Sequence, residues 1–331
     1  MVTLELHLTD RCNLRCLHCY ADYSALNNTF LPLETAVKAL DDFKIMEGFF
    51  SERSTVAFSG GEALLHPNVS GMIDYTAKNF EGLTILTNGK LLTEKLVQKF
   101  ADYGNISVQL SVEGDETIHD TIRGKGHFQE VLTRIDLLRD FNIDTQCAMT
   151  INTLNTPFME FYLQLCDEIE VKPTFHRYIP LGKSHESLRL SPADGTLVYS
   201  ELADLIRKYP IIPHCNLCSM IALTGSRRNH TPCYIGTRCI VIDHHGAFVP
   251  CPYLGTPIAD AAKSDLSEVF FSSELLNTFR ERRYGDICRS CRYSRDCGGC
   301  RALSFAYTGD MFADEPLCPY VMENEEKKKS Y

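Results

Sequence analysis

The first 182 residues alternate between short runs rich in β-branched and aromatic residues and longer segments whose apolar positions recur at helical spacing. Strand-like runs fall at Val2–Leu8, Thr55–Phe58, Leu83–Leu86, Ile106–Val112, Thr145–Ile151 and Pro173–Tyr178. Between them Leu33–Phe50, Asn68–Asn79, Thr93–Tyr103, His127–Asp140 and Pro157–Glu168 read as helices, the first opened by Pro32, which an initial helical turn tolerates. Six strand–helix alternations predict parallel strands joined by crossover helices. Six units are fewer than the eight of a closed barrel, so the predicted fold is α/β, a partial (β/α)6 TIM-like barrel. Such folds carry their chemistry in loops at the C-terminal ends of the strands. The notable motifs fall there: Cys12, Cys16 and Cys19 after the first strand, Ser59-Gly60-Gly61-Glu62 after the second and Thr87-Asn88-Gly89 after the third.

Past residue 182 the alternation stops. Residues 183–230 read as a connecting region with one helix, Pro192–Lys208. From Pro232 the chain turns to cysteine, glycine, short strands and turns with little apolar periodicity, so metal clusters are expected to stand in for part of a core. The expected organisation is a barrel over 1–182, a connection over 183–230, a small cysteine-rich domain over 231–322 and a charged, solvated tail over 323–331.

Composition narrows the class. The chain has 331 residues, a hydrophobic fraction of 44%, a charged fraction of 23% and a formal net charge of −10, which disfavours general nucleic-acid binding. No run reaches the ~18 apolar residues of a membrane span, and the first residues carry no secretory signal pattern. Neither a membrane nor a nucleic acid is an expected partner. Fifteen cysteines is the outlying number. An odd count, in a long chain without an export signal, argues for metal ligands in a reducing cytoplasm over disulfides.

Cys12, Cys16 and Cys19 place three thiols within eight residues, C-x-x-x-C-x-x-C. Thiolates favour iron–sulfur clusters or zinc. Structural zinc is fully four-coordinate, and His18, the one local fourth candidate, adjoins Cys19 and would have to reach around it. Three ligands on a four-iron cluster leave one iron open. Strand, three-cysteine loop and adjacent aromatic Tyr20, with Gly60-Gly61-Glu62 after the second strand, resemble the radical S-adenosylmethionine (SAM) superfamily. The resemblance covers about residues 1–182. It implies that SAM binds the open iron and is cleaved to a 5′-deoxyadenosyl radical. It further implies that Gly60, Gly61 and Glu62 meet the SAM amino group, Ser111 the ribose and Arg123 the carboxylate, with Asn152 a further contact and Leu181 bordering the adenine.

Eight later thiols, Cys233, Cys239, Cys251, Cys288, Cys291, Cys297, Cys300 and Cys318, suffice for two four-ligand clusters. Their spacing, with Gly246 five residues before Cys251, resembles the SPASM domain and its two auxiliary [4Fe–4S] clusters. That resemblance implies one cluster on Cys233, Cys239, Cys251 and Cys300 and another on Cys288, Cys291, Cys297 and Cys318, three clusters in all. Cys297 and Cys300 are separated by two residues where the family commonly has three. Two zinc sites are the competing reading of these C-x-x-C pairs. Cys147 and Cys166 read as core residues. Cys215 and Cys218 are catalytic candidates, as hydrogen-atom donors or ligands of a further metal, with simple packing the favoured alternative. His66, His127, His176, His244 and His245 have no assigned role.

The SPASM resemblance implies a ribosomal peptide or protein as substrate, modified by crosslinking, epimerisation or oxidation, with a flavodoxin- or ferredoxin-like electron donor. Because the first strand begins at residue 2, leader recognition is expected to need a separate protein or another surface. Cys297-Gly-Gly-Cys300-Arg-Ala with Thr308-Gly-Asp310 and Glu315-Pro-Leu-Cys318 also resembles the radical SAM enzymes of alternative haem and haem d1 synthesis, which implies a tetrapyrrole or another small-molecule substrate. Sulfatase maturation is disfavoured by Pro252 after Cys251, where that group has an aspartate. Carbohydrate or aminoglycoside dehydrogenation and a non-catalytic iron–sulfur electron carrier complete the alternatives.

Overall fold

The structure, a computed structural model, describes residues 1–21, 29–182, 185–211, 219–225, 232–282 and 284–329. Its centre is one sheet. Strands β1 (Val2–His7), β2 (Ser54–Ser59), β3 (Leu83–Leu86), β4 (Ile106–Ser111), β5 (Asp144–Ile151) and β6 (Lys172–Arg177) pair in parallel in chain order. The crossovers carry helices α1 (Leu33–Met46), α2 (Val69–Asn79), α3 (Glu94–Tyr103), α4 (Glu116–Arg123), α5 (His127–Asp140) and α6 (Met159–Glu168). The sheet is open, as expected of a partial barrel.

Local chemistry sets the helix ends. Thr93 caps α3 by accepting from the Leu96 amide (3.3 Å), and Ser191 caps α7 (Pro192–Lys208) by accepting from Asp194 (3.1 Å). The helix expected over Leu33–Phe50 ends at Met46 and tightens into a 3-10 turn over Glu47–Phe49. Helix α4 has no counterpart in the sequence reading.

The C-terminal part departs most from expectation. Strand β7 (Cys239–Ile242) pairs in parallel with β1, while β8 (Ala247–Val249) and β9 (Ala259–Asp260) follow antiparallel, giving a nine-stranded order β6-β5-β4-β3-β2-β1-β7-β8-β9. Helices α8 (Met220–Thr224), α9 (Leu266–Ser272), α10 (Glu274–Glu281), α11 (Asp286–Ser290), α12 (Arg301–Thr308) and α13 (Pro319–Lys329) surround this extension. It has a conventional apolar core: Ile240, Ile242, Phe248, Leu266, Phe279 and Leu303 are buried in the same cluster as Leu4, Leu6 and Phe58 of the barrel. The expected connection contributes too, since Tyr199 and Leu202 of α7 are buried in that cluster. The expected tail begins inside helix α13, which packs on α7, α8 and α11 and buries Val321 just before it. No helix among the described residues is long and apolar enough to cross a membrane.

Candidate active site

The loop after β1 is fixed by the loop after β2. The Gly61 amide donates to the Thr9 carbonyl (2.7 Å) and the Glu62 amide to the Arg11 carbonyl (2.8 Å). Both glycines are required by this approach: a Cβ on Gly60 (φ +125°) would lie 2.5 Å from the Thr9 oxygen, and one on Gly61 2.3 Å from the Arg11 oxygen. The glycine pair therefore holds the cysteine loop as well as bordering the cavity beyond it.

That cavity, about 900 Å³, runs along the C-terminal ends of the strands and into the barrel. Cys12, Cys16, Cys19, Tyr20, Gly60, Gly61, Ser111 and Arg123 line it, together with Cys233, Cys239, Cys251 and Cys300. The first three thiols lie within electrostatic reach of one another, and burial pushes Cys19 up to about 11. Cys251 is similarly coupled to Cys233, Cys300 and Cys239, and burial raises its pKa strongly. Cys288, Cys291, Cys297 and Cys318 share a second, smaller cavity with Gly298, Gly299 and Glu315. Burial pushes Cys288 and Cys318 up to about 12. All thirteen described cysteines are free thiols. Buried thiols of raised pKa stay protonated unless a cation or metal compensates the thiolate. All-thiol sets facing cavities are the soft donors that iron–sulfur clusters use, so the residues present fit such groups.

Three expected SAM contacts lie off the cavity wall. The Glu62 carboxylate is buried and accepts from the Thr87 hydroxyl (2.8 Å), the Asn88 amide (2.8 Å) and the Leu64 amide (3.2 Å). It braces the β3 loop. The Asn152 side chain closes its own turn, donating to the Thr150 carbonyl (2.9 Å) and accepting from the Leu154 amide (3.0 Å). Leu181 packs against the core, while Ile179 faces the cavity. Cys215 and Cys218 lie outside the described residues.

Arg123 faces Cys16, its Nη1 3.9 Å from the sulfur, but its other nitrogens are engaged. Nε and Nη2 donate to Glu113 Oε1 (2.9 and 2.6 Å), and His18 Nε2 lies 3.0 Å from the same oxygen. Glu113 is fully buried. Burial alone would raise its pKa, yet the His18 and Arg123 charges overturn that and hold the carboxyl well below the usual range. Its Oε2 accepts from the Thr150 amide (2.9 Å). Sequence reasoning missed Glu113. Its signal was present, a carboxylate two residues beyond the end of β4. His119, His127 and His66 are structural: His119 accepts from the Glu113 amide (3.2 Å) and lies 2.8 Å from His127, which reaches the Asn88 carbonyl (3.0 Å). Since Asn88 O can only accept, His127 carries its proton on Nε2 and His119 donates to His127 Nδ1. His66 reaches the Leu31 carbonyl (2.9 Å).

A fold with three thiols over an open-sheet cavity, and further thiol sets beside it, defines an iron–sulfur enzyme of the partial-barrel class. The radical SAM superfamily profile matches residues 6–164, and the SPASM iron–sulfur cluster-binding domain matches residues 233–292. The chain carries a radical SAM domain and a SPASM domain, so a [4Fe–4S] cluster and SAM are its cofactors and iron–sulfur binding extends to its C-terminal part. The SPASM match ends before Cys297, Cys300 and Cys318. Among relatives, the AdoMet-dependent heme synthase of Methanosarcina barkeri is 26% identical over 95% of both chains. The antilisterial bacteriocin subtilosin biosynthesis protein AlbA of Bacillus subtilis is 28% identical over 88% of this chain and 65% of its own. Among solved structures, anSMEcpe with bound AdoMet and a Cp18Cys peptide superposes with a TM-score of 0.75, at 18% identity over 98% of this chain and 95% of that one.

Proposed function

We propose that this enzyme cleaves SAM reductively and uses the resulting 5′-deoxyadenosyl radical to abstract hydrogen from a residue of a ribosomal peptide or protein, with electrons from a flavodoxin- or ferredoxin-like donor. The observation that carries the reading is the cavity of about 900 Å³ bordered by both Cys12, Cys16 and Cys19 and the set around Cys251. When bound, the first cluster supplies the electron that breaks the sulfonium bond. The chain's own residues do the rest. Cys12, Cys16 and Cys19 are assigned to the SAM-binding cluster, and Tyr20, Ser111 and Arg123 to positioning the cosubstrate. Cys233, Cys239, Cys251 and Cys300, and separately Cys288, Cys291, Cys297 and Cys318, are assigned to two auxiliary clusters. Glu113 holds Arg123 in place, so that its Nη1 faces Cys16 at the cavity wall.

The named role of AlbA and the peptide in the anSMEcpe structure support a peptide substrate. A tetrapyrrole is the second reading, favoured by the full-length match to a heme synthase and by the side chains of Arg15 and Arg238 at the cavity wall. Anaerobic reconstitution with an iron count and a 5′-deoxyadenosine assay tests the proposal. About 12 irons are expected, falling to about 8 without SAM cleavage when Cys12, Cys16 and Cys19 are changed together to Ala. Cleavage by that triple variant would remove the site assignment. Hydrogen transfer into 5′-deoxyadenosine from a porphyrin precursor, and from no peptide, would select the tetrapyrrole.

A further inference from the structure

Two arginines are among the largest fully buried side chains, Arg177 and Arg301. They are not equivalent. Arg177, at the end of β6, pairs with the equally buried Glu315 and donates to the Ser219 hydroxyl. Arg301 makes no direct ion pair among the described residues, although the Glu315 carboxylate acts on it from nearby. Its Nη1 donates to the Ala313 carbonyl (2.7 Å) and Met311 carbonyl (3.3 Å), and the guanidinium lies over the Tyr284 ring at 4.1 Å. Nε and Nη2 are buried without a hydrogen-bond partner.

An uncompensated buried guanidinium is costly, and so are buried donors without acceptors. Neighbouring peptide geometry nonetheless makes room for this one. Gly299 adopts φ +62°, and a Cβ there would sit 2.4 Å from Arg301 Nη2. Gly299, the second glycine between Cys297 and Cys300, is thus fitted to the guanidinium lying against it. Arg301 is adjacent in sequence to Cys300, its backbone amide donates to the Cys233 sulfur, and its charge acts on both Cys233 and Cys288. It stands between the thiol set of the large cavity and that of the small one.

We propose that Arg301 is the shared counter-cation of the two auxiliary clusters, with Nε and Nη2 donating to their sulfur atoms. The inference rests on the cluster assignment above and goes beyond it. Four thiolates around a four-iron cluster leave each site net negative, so two such sites supply negative charge and acceptors beyond Glu315, whose carboxylate acts on Arg301 but is already paired with Arg177. Hydrogen bonds and positive charge at the sulfurs stabilise the reduced state and raise the reduction potential. Arg301 is a positioning and tuning residue; it does not reach the reacting carbon.

The test is an EPR-monitored redox titration, with iron content, of reconstituted wild type, Arg301→Met and Arg301→Lys. The Met variant is expected to show lower auxiliary-cluster midpoints or to lose auxiliary iron. The Lys variant, which keeps the charge but not the fork of donors, is expected to keep its iron at an intermediate midpoint. A purely structural side chain would change folding yield and leave the midpoints of the folded fraction where they were. Either variant folding with wild-type iron and wild-type midpoints overturns the proposal. If the Met variant fails to fold, the Lys variant decides by the same criterion. Wild type lacking auxiliary iron altogether would instead overturn the cluster assignment.

Discussion

Gly61→Ala should disable the enzyme without unfolding it. The added Cβ would lie 2.3 Å from the Arg11 oxygen, 2.7 Å from the Arg11 carbonyl carbon and 2.9 Å from the Asp10 oxygen, all main-chain atoms that no side-chain rotation can clear. Restoring an ordinary contact moves the Arg11 carbonyl by about 1 Å. That displacement strains the two hydrogen bonds joining the loops, Gly61 to Thr9 and Glu62 to Arg11, each worth about 1 kcal/mol. The expected loss is therefore about 2 kcal/mol, read as a lowered denaturant midpoint with an unchanged slope. The effect on chemistry should be larger. Cys12 follows Arg11 directly, and an error of about 1 Å in a reacting geometry costs on the order of 100-fold in rate. 5′-Deoxyadenosine formation should fall by that order while folding remains cooperative. Gly71→Ala is the control: it lies in helix α2 with nothing within 4 Å of the added atom, so it should be neutral or stabilise by up to ~1 kcal/mol. A Gly61→Ala enzyme with wild-type cleavage and midpoint would refute the idea that the glycine pair sets the cysteine loop.

Glu113→Gln keeps the volume but leaves Arg123 buried without its counter-charge, so chemical denaturation should show a loss of about 3–5 kcal/mol, whereas Glu186→Gln, in an exposed pair with Arg189, should be silent. Acid should also weaken the fold through the histidine pair. Burial holds His119 at about 3 in the native state, against about 6.5 when unfolded. Between those values the unfolded chain binds a proton that the native one does not, so stability falls as the pH drops below about 6.5, by roughly 2 kcal/mol at pH 5 from this group. Urea titrations between pH 7.5 and 5 should show that slope, and Glu113-independent loss of it in His119→Gln would tie it to this side chain.

The alternation of strand-like and helical patterns was enough to order β1 to β6, because each strand is a short run with buried apolar positions, strictly alternate in β3 and β4 and consecutive in parts of β2, β5 and β6, and each crossover helix is two or more turns long. Helix α4 escaped because its buried face is partly polar. Ile122 is apolar, but His119 completes the face and stacks on His127 at 5.1 Å, and a histidine counts as polar in any periodicity. Its Asp115 cap, accepting from the Ile118 amide at 2.9 Å, was the available signal. The C-terminal helices are as short as five residues, too brief for a 3.6-residue period to repeat, and their stability comes from tertiary contact. Cysteine spacing made the candidate ligands legible, since thiol identity is itself the chemistry. The supporting charges were not. Arg177, Arg301, Glu113 and Glu315 are read from sequence as surface residues, because charged side chains are almost never fully buried unless compensated, and the compensation is formed only in three dimensions.

The sheet order also explains how one cavity can border two thiol sets. β7 runs parallel to β1, with Cys239 in register with Thr3 at the start of β1, while the Cys12–Cys19 loop leaves from the other end beyond His7. Four residues of strand separate Thr3 from His7, about 13 Å. Cys239 and the first thiol trio are therefore held apart by a rigid element common to both, too far for their sulfurs to share one cluster. Had β7 paired antiparallel, its first residue would have been carried toward the trio's end of β1. Parallel pairing turns the length of β1 into a spacer, and the volume it opens is lined by the inner-facing Glu5, Ala57 and Gln109. On the proposed cluster assignment, a substrate there has the SAM-binding site at one end and an auxiliary cluster at the other, and the strand direction sets that separation before any side chain is chosen.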